Sequence, residues 1–165
     1  MPKQIKKKKL PKEERVNCIL SIVVMFLSLG LSSLLILLIQ QTNNDNEPKM
    51  LGLAVAAVYA VFTVTCLIHF VQGLVAFKKL ESYGALFTSM LSGVSLFGML
   101  LNVQLMLALM FTALGKDGMV TKVIGESGMN NFMTSQSNAW TLLIAGLATA
   151  FAVGFIDTIR LSKQH

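Results

Sequence analysis

Four long apolar stretches divide the chain, Val16 to Ile39, Met50 to Phe77, Tyr83 to Leu114 and Ala139 to Ile156, and no Asp, Glu, Lys or Arg interrupts any of them. A helix crosses the hydrocarbon core with about 20 predominantly apolar residues, and in lipid every backbone polar group must be paired within the fold. The pattern therefore predicts an all-α polytopic membrane protein with four transmembrane helices in an antiparallel bundle. The expected spans are 16–39, 50–77, 83–114 and 139–159, between a basic tail at 1–15 and a short tail at 160–165.

The third stretch is unusually long. Its 32 residues would reach roughly 48 Å as one helix, against about 30 Å of hydrocarbon. Such a long third helix must tilt, break or extend beyond the lipid, and Gly98 is a candidate kink. Counted from Tyr83, Asn102 and Gln104 fall about 28–32 Å along the helix, at the far interface. The connection KKLES from Lys78 is so short that the second and third helices must be antiparallel neighbours. Between the third and fourth stretches, Met119, Val120, Val123 and Ile124 recur at helical spacing and suit either a short interfacial helix or ordinary loop packing. The segment GESGMNNFMTSQSN that follows has the Gly, Ser and Asn content of a loop.

Composition agrees with a membrane class: 54% of the residues are hydrophobic and 13% charged, about half the charge of an ordinary soluble domain. Charge then orients the spans. Lys3, Lys6, Lys7, Lys8, Lys9, Lys12 and Arg15 precede the first span, and the positive-inside rule puts them in the cytoplasm. Four crossings place Lys78, Lys79, Arg160 and Lys163 on the same side, leaving Lys49, Lys116 and Lys122 outside. Both termini are expected in the cytoplasm of a plasma-membrane-like bilayer, with Lys6, Lys7, Lys8 and Lys9 against anionic headgroups of the inner leaflet. The net charge of +6 comes with no groove-reading motif or aromatic platform, so nucleic acid is not an expected partner.

Small residues recur every four positions at Gly146, Ala150 and Gly154 on the last span, at Gly52, Ala56 and Ala60 on the second, and at Gly84, Thr88 and Ser92 on the third. Such lines let helix backbones approach closely. They serve either packing within one bundle or, for the last span, packing against another protein.

Polar residues inside the spans are few and grouped. Thr65, His69 and Gln72 share a face of the second helix, and Thr88, Ser92 and Ser95 share one on the third. Measured from the short turn, His69 lies about 12 Å above Phe77 and Ser92 about 13 Å above Tyr83. A neutral His69 bonded to Ser92 is expected, with Asp157 turned instead toward Arg160 three residues on. The six residues form either a hydrogen-bonded cluster that fixes helix register or a vestibule for an ion, proton or small solute.

Candidate chemistry is sparse. HExxH, CxxC, paired acidic and phosphate-loop motifs do not occur, GESG has the wrong order for a nucleophile elbow, and Cys18 and Cys66 lie in separate stretches. The expectation is no catalytic residues, no metal and no cofactor. A small structural or accessory membrane component, associating with itself or with larger partners, is the preferred function. A small transporter or channel subunit using the polar cluster is the alternative.

Overall fold

The computed structural model describes residues 10–43, 49–103, 106–107, 110–111 and 126–162. They form four long helices: α1 (Lys12–Asn43), α2 (Lys49–Leu80), α3 (Tyr83–Leu101) and α4 (Glu126–Ser162), with no strand among the described residues. Each contains a segment long and apolar enough to cross a membrane, namely Lys12–Leu38, Met50–Leu80, Tyr83–Leu101 and Thr141–Ser162. The helices pack in a ring, α1 on α2, α2 on α3, α3 on α4 and α4 back on α1. Across the diagonals α1 and α3 barely meet, and among the described residues α2 and α4 do not.

Contacts between the ends fix the direction of each helix. Glu14 near the start of α1 is bonded to Ser82 at the start of α3 and to Arg160 near the end of α4, and Glu13 pairs with Lys79 near the end of α2. All four helices therefore have an end at this charged pole, and the bundle runs up, down, up, down. The turn between α2 and α3 is only Glu81 and Ser82. Glu81 has φ 51°, the left-handed conformation that commonly closes a helix and that costs a residue with a Cβ. Ser82 then caps α3 by accepting from the Ala85 amide at 3.4 Å, satisfying one of the free donors of the first turn.

Two helices depart from the apolar pattern. The third stretch does not run as one uninterrupted helix: α3 is regular to Leu101, and Asn102 is a turn before helical geometry resumes at Val103. The Asn102 side chain donates to the Gly98 carbonyl at 2.7 Å, the acceptor that its own amide would use in an α-helix. That amide bonds Met99 instead, at 2.9 Å. An Asn side chain competing with the backbone is a local cause of such a break. It falls one turn beyond Gly98. The second departure is α4, which begins at Glu126, so GESGMNNFMTSQSN is helical from its second residue rather than a loop. Once the apolar part of a helix has formed, each further turn adds backbone bonds without a new nucleation cost, and modest propensity suffices. The basic residues Lys6 to Lys9 and the 119–124 pattern lie outside the described residues.

Outward faces are apolar: Phe26, Phe97 and Ile144 are all more than 60% exposed, as expected of side chains meeting lipid. Inside, the bundle is divided. Toward the pole opposite the charges the core is Leu31, Leu35, Leu38, Val55, Phe62, Met99 and Leu143. Toward the charged pole the buried polar side chains are Asn17, Ser21, His69, Thr88, Ser89, Ser92, Ser95 and Asp157, while Ser28 and Asn102 are buried nearer the other pole.

Candidate functional site: a polar core at the charged pole

The polar interior draws on all four helices. Asn17 on α1 and Thr88 on α3 each lie five residues from the start of their helix, and Asp157 lies five from the end of α4. At about 1.5 Å per residue, the three sit at one level, about 7.5 Å inside the helix ends. Asn17 Nδ2 donates to Thr88 Oγ1 at 3.4 Å. One turn deeper on α3, Ser92 Oγ and His69 Nδ1 of α2 are joined by a 2.6 Å hydrogen bond. The expected His69–Ser92 pair is thus present.

The other residues grouped with that pair go elsewhere. Thr88 also turns its hydroxyl to the Gly84 and Ala85 carbonyls of its own helix. Ser95 crosses to α4, where its hydroxyl donates to the Gly146 carbonyl at 2.9 Å. Thr65 is half-buried and donates to Val61 within α2 at 2.7 Å. Gln72 is half-buried. The sequence group is therefore one buried pair, two buried hydroxyls serving other contacts and two residues at the rim. Spacing alone aligns residues along one helix but leaves open which neighbour each face meets, and Ser95 meets α4 rather than α2.

Asp157 is wholly buried, and Arg160 Nη1 donates to its Oδ1 at 2.6 Å. The same guanidinium reaches Glu14 of α1, whose Oε1 also accepts from Ser82 Oγ at 2.8 Å. One arginine thus bridges two carboxylates from different helices, at a site where its side chain is 24% exposed and that of Glu14 13%. The small residue Gly84 makes this possible, because a Cβ there would lie 2.7 Å from the guanidinium carbon. Asp157 is also within electrostatic reach of Cys18 on α1 and His69 on α2. By contrast, the Lys79–Glu13 pair is 3.7 Å long and its lysine is 59% exposed, the kind of surface ion pair that contributes little.

Packing motifs resolve in the same way. Gly154 presses on α1, where a Cβ would collide with Met25 and come within 2.7 Å of the Ser21 carbonyl. Gly146 presses on α3, 3.5 Å from the Ser95 carbonyl by the same measure. Ala150 is buried between them. The line Gly146, Ala150, Gly154 is therefore filled by this chain's own α1 and α3. A comparably tight contact has no signal in the four-residue lines: Gly73 on α2 abuts Ser89 on α3, and a Cβ on Gly73 would fall 2.9 Å from the Ala85 carbonyl. Gly73 belongs to no four-residue series, and only the neighbouring helix reveals its use.

Three buried polar atoms of this core have no partner among the described residues: Asn17 Oδ1, His69 Nε2 and Asp157 Oδ2. A fourth, Asn102 Oδ1, lies at the α3 break. Such groups are costly in a dry interior. Both cysteines are free and buried, and no set of three His, Cys, Asp or Glu is placed to hold a metal ion among the described residues. No family model, curated protein or solved structure matches the chain.

Proposed function

We propose that the protein is a small non-enzymatic component of a plasma-membrane-like bilayer, structural or accessory in role, that associates with itself or with larger membrane proteins. The observation that carries this reading is the division of the interior. Buried polar side chains concentrate in the half near the charged pole, whereas the other half, apart from Ser28 and Asn102, is closed by Leu31, Leu35, Leu38, Phe62 and Leu143. Among the described residues a solute crossing that half would meet few polar groups: the Tyr59 hydroxyl is already bonded to the Met99 carbonyl, and Asn102 Oδ1 at the α3 break is the buried oxygen left without a partner there. The charged pole, with Lys12, Arg15, Lys78, Lys79 and Arg160, is assigned to the cytoplasm by the positive-inside rule, together with both termini. Exposed lysines there, extended by Lys6, Lys7, Lys8 and Lys9, suit anionic headgroups.

A second reading, a small transporter or channel subunit, is favoured by the unpartnered atoms Asn17 Oδ1, His69 Nε2 and Asp157 Oδ2. Intramembrane ionisable groups often mark ion or proton pathways. Extraction in mild detergent with mass analysis of what co-elutes, alongside solute uptake by liposomes containing the purified chain, separates the two. A stoichiometric partner or stable homo-oligomer with no uptake above empty liposomes is expected. A partner-free species that moves solute would replace the first reading with the second.

A further inference from the structure

Charge in the polar core does not balance. Glu14 and Asp157 carry two negative charges and Arg160 one positive, and the neighbouring Glu13–Lys79 pair is neutral by itself. The triad thus holds one net negative charge, and it is Asp157, its one wholly buried member, that keeps an oxygen without a partner among the described residues. On α1, Asn17 also has a buried oxygen without a partner, because its amide nitrogen is turned to Thr88. The next residue, Cys18, lies within electrostatic reach of Asp157, as does His69. The level of Asn17, Thr88 and Asp157 therefore holds a half-paired carboxylate, an amide oxygen and a hydroxyl oxygen, and the imidazole nitrogen of His69 that is unpartnered among the described residues lies one turn deeper. Three of these are hard oxygen acceptors.

We infer that this level of the bundle is a binding site for one alkali-metal cation, with Asp157 Oδ2 and Asn17 Oδ1 as its principal ligands. A hard monovalent ion suits oxygen donors, and its single charge balances the triad. A divalent ion would leave the interior with a net positive charge. Around this level stand Cys18 and Glu14 on α1, Thr88 on α3 and Asp157 with Arg160 on α4, with the His69–Ser92 pair of α2 and α3 one turn deeper. Binding here does not depend on the accessory role, since an internal cation can hold four helices together whether or not the chain has a partner.

The test is thermal unfolding of the full-length purified chain in detergent at constant ionic strength, with choline chloride replaced stepwise by sodium or potassium chloride. A ligand that binds only the folded state raises the melting temperature in a saturable way, by about 5–10 °C at one hundred times the half-saturating concentration. That rise is expected with sodium or potassium and not with choline, and Asp157→Asn should abolish it. Because Asp157→Asn also disturbs Arg160 and can fail to fold, Asn17→Ala provides the second arm. Thr88 keeps its own-helix bonds in that variant, and the half-saturating sodium or potassium concentration should rise at least about tenfold, the equivalent of one lost ligand worth about 1.4 kcal/mol. Identical melting in choline, sodium and potassium overturns the inference. So does a shift that survives Asp157→Asn, an unchanged midpoint in Asn17→Ala, or saturation by magnesium or calcium at lower concentration than by either alkali ion.

Discussion

The two poles of this bundle are held together by different forces. At the charged pole, contacts are directional and reach across helices: Arg160 to Glu14 and Asp157, Ser82 to Glu14, Asn17 to Thr88, and His69 to Ser92. At the opposite pole, shape dominates. Leu31, Leu35, Leu38, Val55, Phe62 and Leu143 interlock, and the Tyr59 hydroxyl makes a cross-helix hydrogen bond to Met99. Lipid supplies no hydrophobic drive between helices, so apolar packing there gains dispersion but little specificity. Polar contacts supply the missing specificity, since a wrong helix rotation at the charged pole would leave ions and hydroxyls unpaired in hydrocarbon. One pole sets which helix faces which, and the other follows.

The sharpest way to break that contrast is to remove the shared cation. Arg160→Leu leaves Glu14 and Asp157 facing each other without compensation, and we expect a loss of about 3–5 kcal/mol in detergent unfolding, the range for breaking a buried pair. Lys79→Leu, at the exposed pair, should cost less than about 1 kcal/mol. Equal effects would erase the distinction between buried and surface charge at this pole.

Next in size is Gly154→Leu, which drives a side chain into Met25 and the Ser21 carbonyl. Overpacking of this kind costs about 1–3 kcal/mol or more, whereas Ala152 is exposed and Ala152→Leu should be neutral. Yield and monodispersity on gel filtration check this. If both leucines behave alike, the close α1–α4 approach is not what assembles the last helix. His69 sharpens the comparison further. His69→Leu removes the bond to Ser92 and should cost about 1–2 kcal/mol, while His69→Gln retains a polar partner and should cost little. Thermal unfolding of the two variants side by side is the measurement, and equal losses would count against a structural hydrogen bond. The smallest effect is expected at the apolar pole. Tyr59→Phe removes one hydroxyl whose acceptor, the Met99 carbonyl, still receives the Asn102 amide, so about 0.5–1 kcal/mol is at stake. A loss larger than that of His69→Leu would reverse the ranking of the poles.

Much of this arrangement was legible before the structure. Uninterrupted apolar stretches announce four helices because charge inside a span is expensive, and the two-residue turn leaves α2 and α3 no choice but to pair. His69–Ser92 followed from equal depth on two such neighbours, and Asp157–Arg160 from three-residue spacing on one helix. Contacts between helices distant in sequence were not legible. Glu14 was not legible because α1 starts at Lys12, a turn before the apolar stretch, and Asn17 and Ser21, which lie inside that stretch, carry no spacing that marks them as inward-facing. The rotation of a helix that is apolar all round is not encoded in a periodicity it lacks. Asn102 was noted only for its depth. Its side chain competes for the Gly98 carbonyl and ends α3, a local effect that a count of apolar residues does not register.

The proposal that the charged pole faces the cytoplasm underlies both the proposed role and the direction from which the polar core is reached. In a background with Cys18 and Cys66 replaced by serine or alanine, single substitutions Asn44→Cys, Gly128→Cys and Ser162→Cys can be challenged in intact cells with a membrane-impermeant thiol reagent. We expect labelling at positions 44 and 128 and none at 162 until the membrane is permeabilised. Labelling of Ser162→Cys in sealed cells would contradict the orientation, and labelling there with protection at 44 and 128 would invert it.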